Sequence, residues 1–213
     1  MSEGQVAALL LWLVLLAFSL NASLLRTLGA HPLYQHLCFG GAIVLVPLWT
    51  LRAGLHEGLE IHFLGLTSLT LLLGWRLALL APCLTLLILG AFGVTDLAEF
   101  GWQALIDIAL PVATSWLLFL GSWAWLPRHL FVYLFVAAFL GGALSISIKI
   151  LASALLMGLS GAYPWHIIGA DYLPIWPLLL FPEALLNGMA MTLLAVYRPH
   201  WVNTFCDREY LGR

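Results

Sequence analysis

The sequence predicts an all-α polytopic membrane protein, a bundle of about seven transmembrane helices forming one domain over residues 1–213. Three observations carry this. The 213 residues are 63% hydrophobic and only 8% charged, against roughly 45–50% and about 25% in a soluble domain. The mean hydropathy is +1.03. The apolar residues also come in runs near the length of a bilayer crossing, which takes about 20 residues because hydrocarbon offers no partner to backbone N–H and C=O groups.

Taken in order, the candidate spans are 5–25, 36–52, 59–75, 77–94, 104–126, 129–157 and 174–197. The first lacks a basic flank and a clear small-residue cleavage site, so it reads as a membrane helix rather than a signal peptide. The third and fourth form one apolar stretch from Ile61 to Val94, broken at Gly74-Trp75-Arg76. That stretch is too long for one crossing and fits a tight helical hairpin. The sixth is long for one span and is expected to tilt or to begin as an interfacial turn. Trp102, Trp123, Trp125, Tyr163, Trp165, Tyr172, Trp176, Tyr197 and Trp201 fall near span ends, where interfacial anchors are expected.

Charge placement sets the orientation. With seven spans, Arg26, Arg76, Arg128, Arg198, Arg208 and Arg213 collect on one side, and Arg52 stands alone on the other. The positive-inside rule then places the C-terminus in the cytoplasm and the N-terminus outside. Other classes fall away. The formal net charge is −2 without a basic stripe, so no nucleic-acid partner is expected. Cys38, Cys83 and Cys206 are scattered and odd in number, which excludes a disulfide scaffold. No P-loop, G-x-S-x-G or H-E-x-x-H motif occurs, so the chain is not read as an enzyme and has no nucleotide site of its own.

Two groups of polar residues call for an explanation. Between the second and third spans, His56, Glu57, Glu60 and His62 lie within seven residues, at the outer mouth of the bundle. Imidazoles bind Ni, Co, Cu and Zn, and nearby carboxylates add ligands or raise imidazole basicity. If a helix starts near Gly58, Glu60 and His62 are too close in sequence to share a face. A solvated loop with interfacial histidines is the other reading. The remaining histidines, His31, His36, His129, His166 and His200, are singly placed and read as interfacial.

The second group is intramembrane: Asp107, Lys149, Glu183 and Asn187. A charge at the bilayer centre costs about 2.5–3.5 kcal/mol on insertion scales, so such residues face the bundle interior and pair. Lys149 and Glu183 are expected to be partners or to share Asp107, with Asn187 extending the network. Were they not to pair, Glu183 would read as a cavity-lining group.

The run His62-Phe63-Leu64-Gly65 through Gly74-Trp75 resembles the cobalt/nickel-type substrate-binding membrane subunits of energy-coupling factor transporters. There, a His followed three residues later by Gly opens a helix that ends in a tight Gly-containing turn. Pro182-Glu183-Ala184-Leu185-Leu186-Asn187-Gly188, ending at Arg198-Pro199, is similar to that family's last helix. The resemblance implies a seven-span, N-outside permease subunit in the inner membrane. Its substrate would be a transition-metal ion, and a coupling membrane subunit with ATPase subunits would drive it. It also implies an outward-facing metal site built from an N-terminal Met-His element and a later histidine, whose position His62 occupies. The sequence begins Met1-Ser2-Glu3, so a divergent, rebuilt site is expected, with His56 and Glu57 or Glu60 completing or orienting it. The alternative is a non-transporting membrane protein, an assembly factor or structural subunit of a membrane metalloenzyme.

Overall fold

The computed structural model describes residues 2–54 and 60–210. Eight labelled helices and one two-stranded hairpin organise them. Helix α1 (Glu3–Ser19) opens with a capping box, in which Ser2 and Gln5 satisfy each other's backbone N–H. It stops at Leu20-Asn21, and α2 (Ala22–Ala30) follows at a sharp bend. Helix α3 (Pro32–Thr50) begins on a proline, whose missing N–H is no loss in a first turn. Strands β1 (Arg52–Ala53) and β2 (Ile61–His62) pair antiparallel, with Arg52 opposite His62 and Ala53 opposite Ile61.

Helix α4 (Leu66–Leu73) ends at Gly74, whose φ of +79° favours glycine, and α5 (Trp75–Ala91) starts at once. Helix α6 (Leu97–Trp125) and helix α7 (Leu130–Leu159) are long and continuous, and α8 (Ile175–Tyr197) closes the set. Four helices, α3, α6, α7 and α8, are long and apolar enough to cross a membrane, and the bent pair α1–α2 makes a fifth candidate. The chain is a multi-pass membrane protein.

The third expected span departs from its expectation. Helix begins only at Leu66, so α4 has eight residues and is about 12 Å long at 1.5 Å per residue, against a hydrocarbon core of about 30 Å. The described residues of that span before Leu66 are strand β2 and an irregular turn. Backbone of this kind is tolerated at membrane depth where protein covers it or it lines a cavity.

Both ends of α4 are capped by distant chain. At its foot, backbone N–H groups of Asn203 and Thr204 donate to the carbonyls of Leu72 and Leu71 at 2.9 and 3.3 Å. The Thr204 hydroxyl adds a bond to Leu71 O at 2.7 Å. Around the middle of α4, the hydroxyls of Thr67, Ser115 and Ser145 form a buried triangle with edges of 2.7, 2.8 and 3.1 Å. That triangle ties α4, α6 and α7 together without leaving a polar atom unpaired.

Close helix approach rests on glycine at two points. A Cβ on Gly142 of α7 would lie 3.0 Å from Glu183 O of α8, and one on Gly101 of α6 would lie 2.5 Å from Leu9 N of α1. Among the aromatic residues expected at the interface, Trp125 and Tyr197 are exposed, but Tyr172 is buried in the core. It belongs to a widened helical turn, Ile168–Tyr172, whose Ile168 and Tyr172 both join the core.

Candidate functional site

A cavity of about 730 Å³ opens at the hairpin end of the bundle. Gln5 of α1, Arg52 and His62 of the hairpin, Glu60, Trp102 and Asp107 of α6, Lys149 of α7 and Tyr163 all line it. Two of the expected interfacial anchors, Trp102 and Tyr163, are therefore cavity walls.

His62 is one of the two most deeply buried polar groups there, with Lys149. It is 5% exposed, and its Nε2 is buried with no hydrogen-bond partner. Its ring lies 5.2 Å from that of Trp49, centroid to centroid. Trp49 is held in turn by donating from Nε1 to Leu64 O at 3.1 Å. A neutral imidazole with an uncommitted nitrogen is the state that ligates a metal.

Glu60 immediately precedes the strand that carries His62. Residues i and i+2 of an extended segment point to the same side, and both line the cavity. Ile61–His62 is strand and helix begins only at Leu66, so the helical condition under which the two could not share a face does not apply. Glu60 is engaged by Arg52, whose Nη1 lies 3.3 Å from Oε2, while Arg52 Nε donates to Trp49 O at 3.0 Å. His56 and Glu57 lie outside the described residues. Among the described residues no three His, Cys, Asp or Glu side chains come together as a metal-binding group.

The intramembrane residues do not form one network. Lys149 pairs with Asp107, Nζ to Oδ1 at 3.6 Å, within the cavity. Glu183 is elsewhere. Its carboxylate accepts from Leu64 N at 2.9 Å, Gly65 N at 2.8 Å and Asn187 Nδ2 at 2.8 Å. Asn187 Oδ1 accepts from Ser68 N and Ser68 Oγ, both at 2.8 Å. The expected Lys149–Glu183 pair is therefore corrected, and so is the cavity-lining alternative for Glu183. The reason is electrostatic. The start of α4 presents unpaired N–H groups with partial positive charge, and a carboxylate at that point satisfies them. Gly65, at φ +65°, turns its N–H toward Glu183.

Three features of the site escape a reading of hydropathy. Arg52 as the partner of Glu60 depends on hairpin register. Trp49 against His62 depends on where α3 ends. The widened turn Ala104–Ala109 in α6, where Leu110 N donates to Leu105 O, carries Asp107. That last feature did have a signal. Pro111 has no N–H to offer the carbonyl of Asp107 and its ring crowds that carbonyl, so a wider turn relieves the strain.

The family model for the cobalt uptake substrate-specific transmembrane region matches residues 3–201. Searches of curated proteins and of solved structures give no match.

Proposed function

The chain belongs to the cobalt uptake substrate-specific transmembrane family, and from that premise we propose that it is the substrate-binding subunit for a cobalt- or nickel-like ion, with His62 as its first ligand. The observation that carries the reading is the buried, unpartnered Nε2 of His62 in the wall of a polar cavity. A buried nitrogen without a partner costs about 1–3 kcal/mol, and a metal ion arriving as cargo supplies that partner. Copper and zinc ions suit the same imidazole chemistry.

The cavity residues divide the work. Trp49 and the hairpin register hold the imidazole in place. Arg52 and Glu60 sit at the mouth, with Glu60 able to add an oxygen ligand or draw a cation inward. His56 and Glu57, on the segment between the two strands, are the proposed remaining donors. Gln5 and Ser2 bring the start of α1 to the same cavity, where Gln5 Nε2 donates to Glu99 Oε1 at 2.5 Å.

In this reading the protein is a single seven-span domain of the inner membrane, N-terminus and cavity outside, C-terminus in the cytoplasm. The arginine distribution supports that orientation. Release inward requires the bundle to tilt or rock, and the energy comes from a coupling membrane subunit and ATPase subunits.

The test is the metal content of detergent-purified protein beside His62→Ala, across Co, Ni, Cu and Zn. Near-stoichiometric metal in the wild type and its loss in the variant are expected. Equal, near-zero occupancy in both would overturn the reading.

A further inference from the structure

We propose that Lys149 is a tethered internal cation, which holds Asp107 until a divalent ion bound at His62 displaces it. The inference rests on the His62 reading above and deepens it, naming what selects the charge of the cargo.

Lys149 is the single lysine of the chain, and it is 3% exposed. Its ammonium faces a cavity that also holds an unpartnered imidazole nitrogen. A pair serving packing alone can be replaced by apolar residues at little cost, yet this one lines a polar cavity rather than a sealed core. Its geometry is loose. The separation of 3.6 Å exceeds the 2.7–2.9 Å of a charge-assisted hydrogen bond, so Lys149 neutralises Asp107 without closing its coordination. The carboxylate is the more open partner, with 15% of its side chain exposed against 4% for the lysine. It also sits on the widened turn of α6, a kind of irregularity that recurs at functional sites.

Charge balance points to exchange at this pair. The described cavity wall holds two cation–carboxylate pairs, Arg52 with Glu60 and Lys149 with Asp107, beside the imidazole, and two further carboxylates, Asp96 and Glu99, which accept from Ala98 N and Gln5 Nε2. A divalent ion reaching His62 meets two positive side chains whose partners are already taken. The carboxylate of either pair becomes a ligand only by leaving its cation. Arg52 is fixed by a second bond to Trp49 O, and its planar fork is rigid. Lys149 is a point charge on a flexible four-carbon stem. The ammonium therefore yields, and Asp107 turns to the metal. A monovalent ion brings no more charge than the ammonium it must displace, so the pair favours divalent cargo.

The experiment is calorimetric titration of the purified protein with cobalt chloride. Lys149→Met frees Asp107 and should tighten cobalt binding about tenfold or more, the scale of one removed charge at short range. Asp107→Asn/Lys149→Met should return the affinity to the wild-type level or below. Lys149→Arg, which keeps the charge but grips a carboxylate in a bidentate fork, should weaken binding about tenfold. Binding lost in His62→Ala but unchanged or weaker in Lys149→Met overturns this inference alone. Should Lys149→Met fail to fold, an unchanged affinity in Lys149→Arg overturns it equally. Binding that is the same in the wild type and His62→Ala overturns the underlying reading instead.

Discussion

Glu183 and Asp107 are both carboxylates set among the helices, and they have opposite lives. Glu183 is 0% exposed and accepts three N–H donors, two from the backbone that leads into α4. Asp107 has one cationic neighbour at 3.6 Å and faces a cavity. The first is sealed from solvent and held by three fixed donors. The second is neutralised but not saturated, and is open to a new partner. The comparison teaches that the charge of a membrane carboxylate says little about its role. The number and rigidity of its donors say more.

The largest effect separates the two directly. Glu183→Ala leaves the N–H groups of Leu64 and Gly65 buried without acceptors, at about 1–3 kcal/mol each. It also removes one of the two acceptors of Asn187 Nδ2, which keeps its bond to the backbone carbonyl of residue 183. We expect a loss of roughly 3–5 kcal/mol, read as a lower unfolding temperature in detergent. Because Leu64 and Gly65 follow His62, metal binding should fall with it. An Asp107→Ala variant that destabilises the protein by more than Glu183→Ala does would reverse the comparison.

Coupling measurements sharpen it. A double-mutant cycle of Lys149→Met with Asp107→Asn should show a coupling of about 1–3 kcal/mol, because each single change strands a buried charge. The cycle of Lys149→Met with Glu183→Gln should be additive to within about 0.5 kcal/mol, as for separate sites. Strong coupling in the second cycle would mean that the lysine serves Glu183 after all.

That pairing was not legible in the sequence, and the reason is physical. The cost of an intramembrane charge identifies Asp107, Lys149 and Glu183 as needing partners, but it is blind to which partner. Glu183 meets residues 118 and 119 positions away, and its main partners are backbone groups, which leave no mark on composition. The class of fold was legible because hydropathy is a property of composition and run length. The break at Gly74 was legible because glycine with Trp-Arg interrupts an apolar run. The hairpin was not, since an apolar segment such as Ile61–Leu64 has the same hydropathy as strand, turn or helix. His62 was found through its chemistry. Its neighbours Trp49 and Arg52 were not, because register and helix termination placed them there.

The smallest effect concerns the far end of α4. If Glu183 acts as the cap of that helix, its other end should be structural in the same sense. Thr204→Val removes the hydroxyl that donates to Leu71 O and contacts Tyr133 Oη at 2.7 Å. Tyr133 is 1% exposed, so its hydroxyl would lose this partner in a buried setting. The backbone bonds from Asn203 and Thr204 to α4 remain, which limits the damage. A loss of about 1–2 kcal/mol follows, the net value of one buried hydrogen bond with its stranded partner. Cobalt affinity should stay at the wild-type value, since the cavity lies at the opposite end of α4. A thermal shift without a change in calorimetric affinity confirms that the helix foot is purely structural. A change in affinity would instead show that α4 transmits strain from the tail to His62, and Glu183 would then belong to the cargo site as much as Asp107 does.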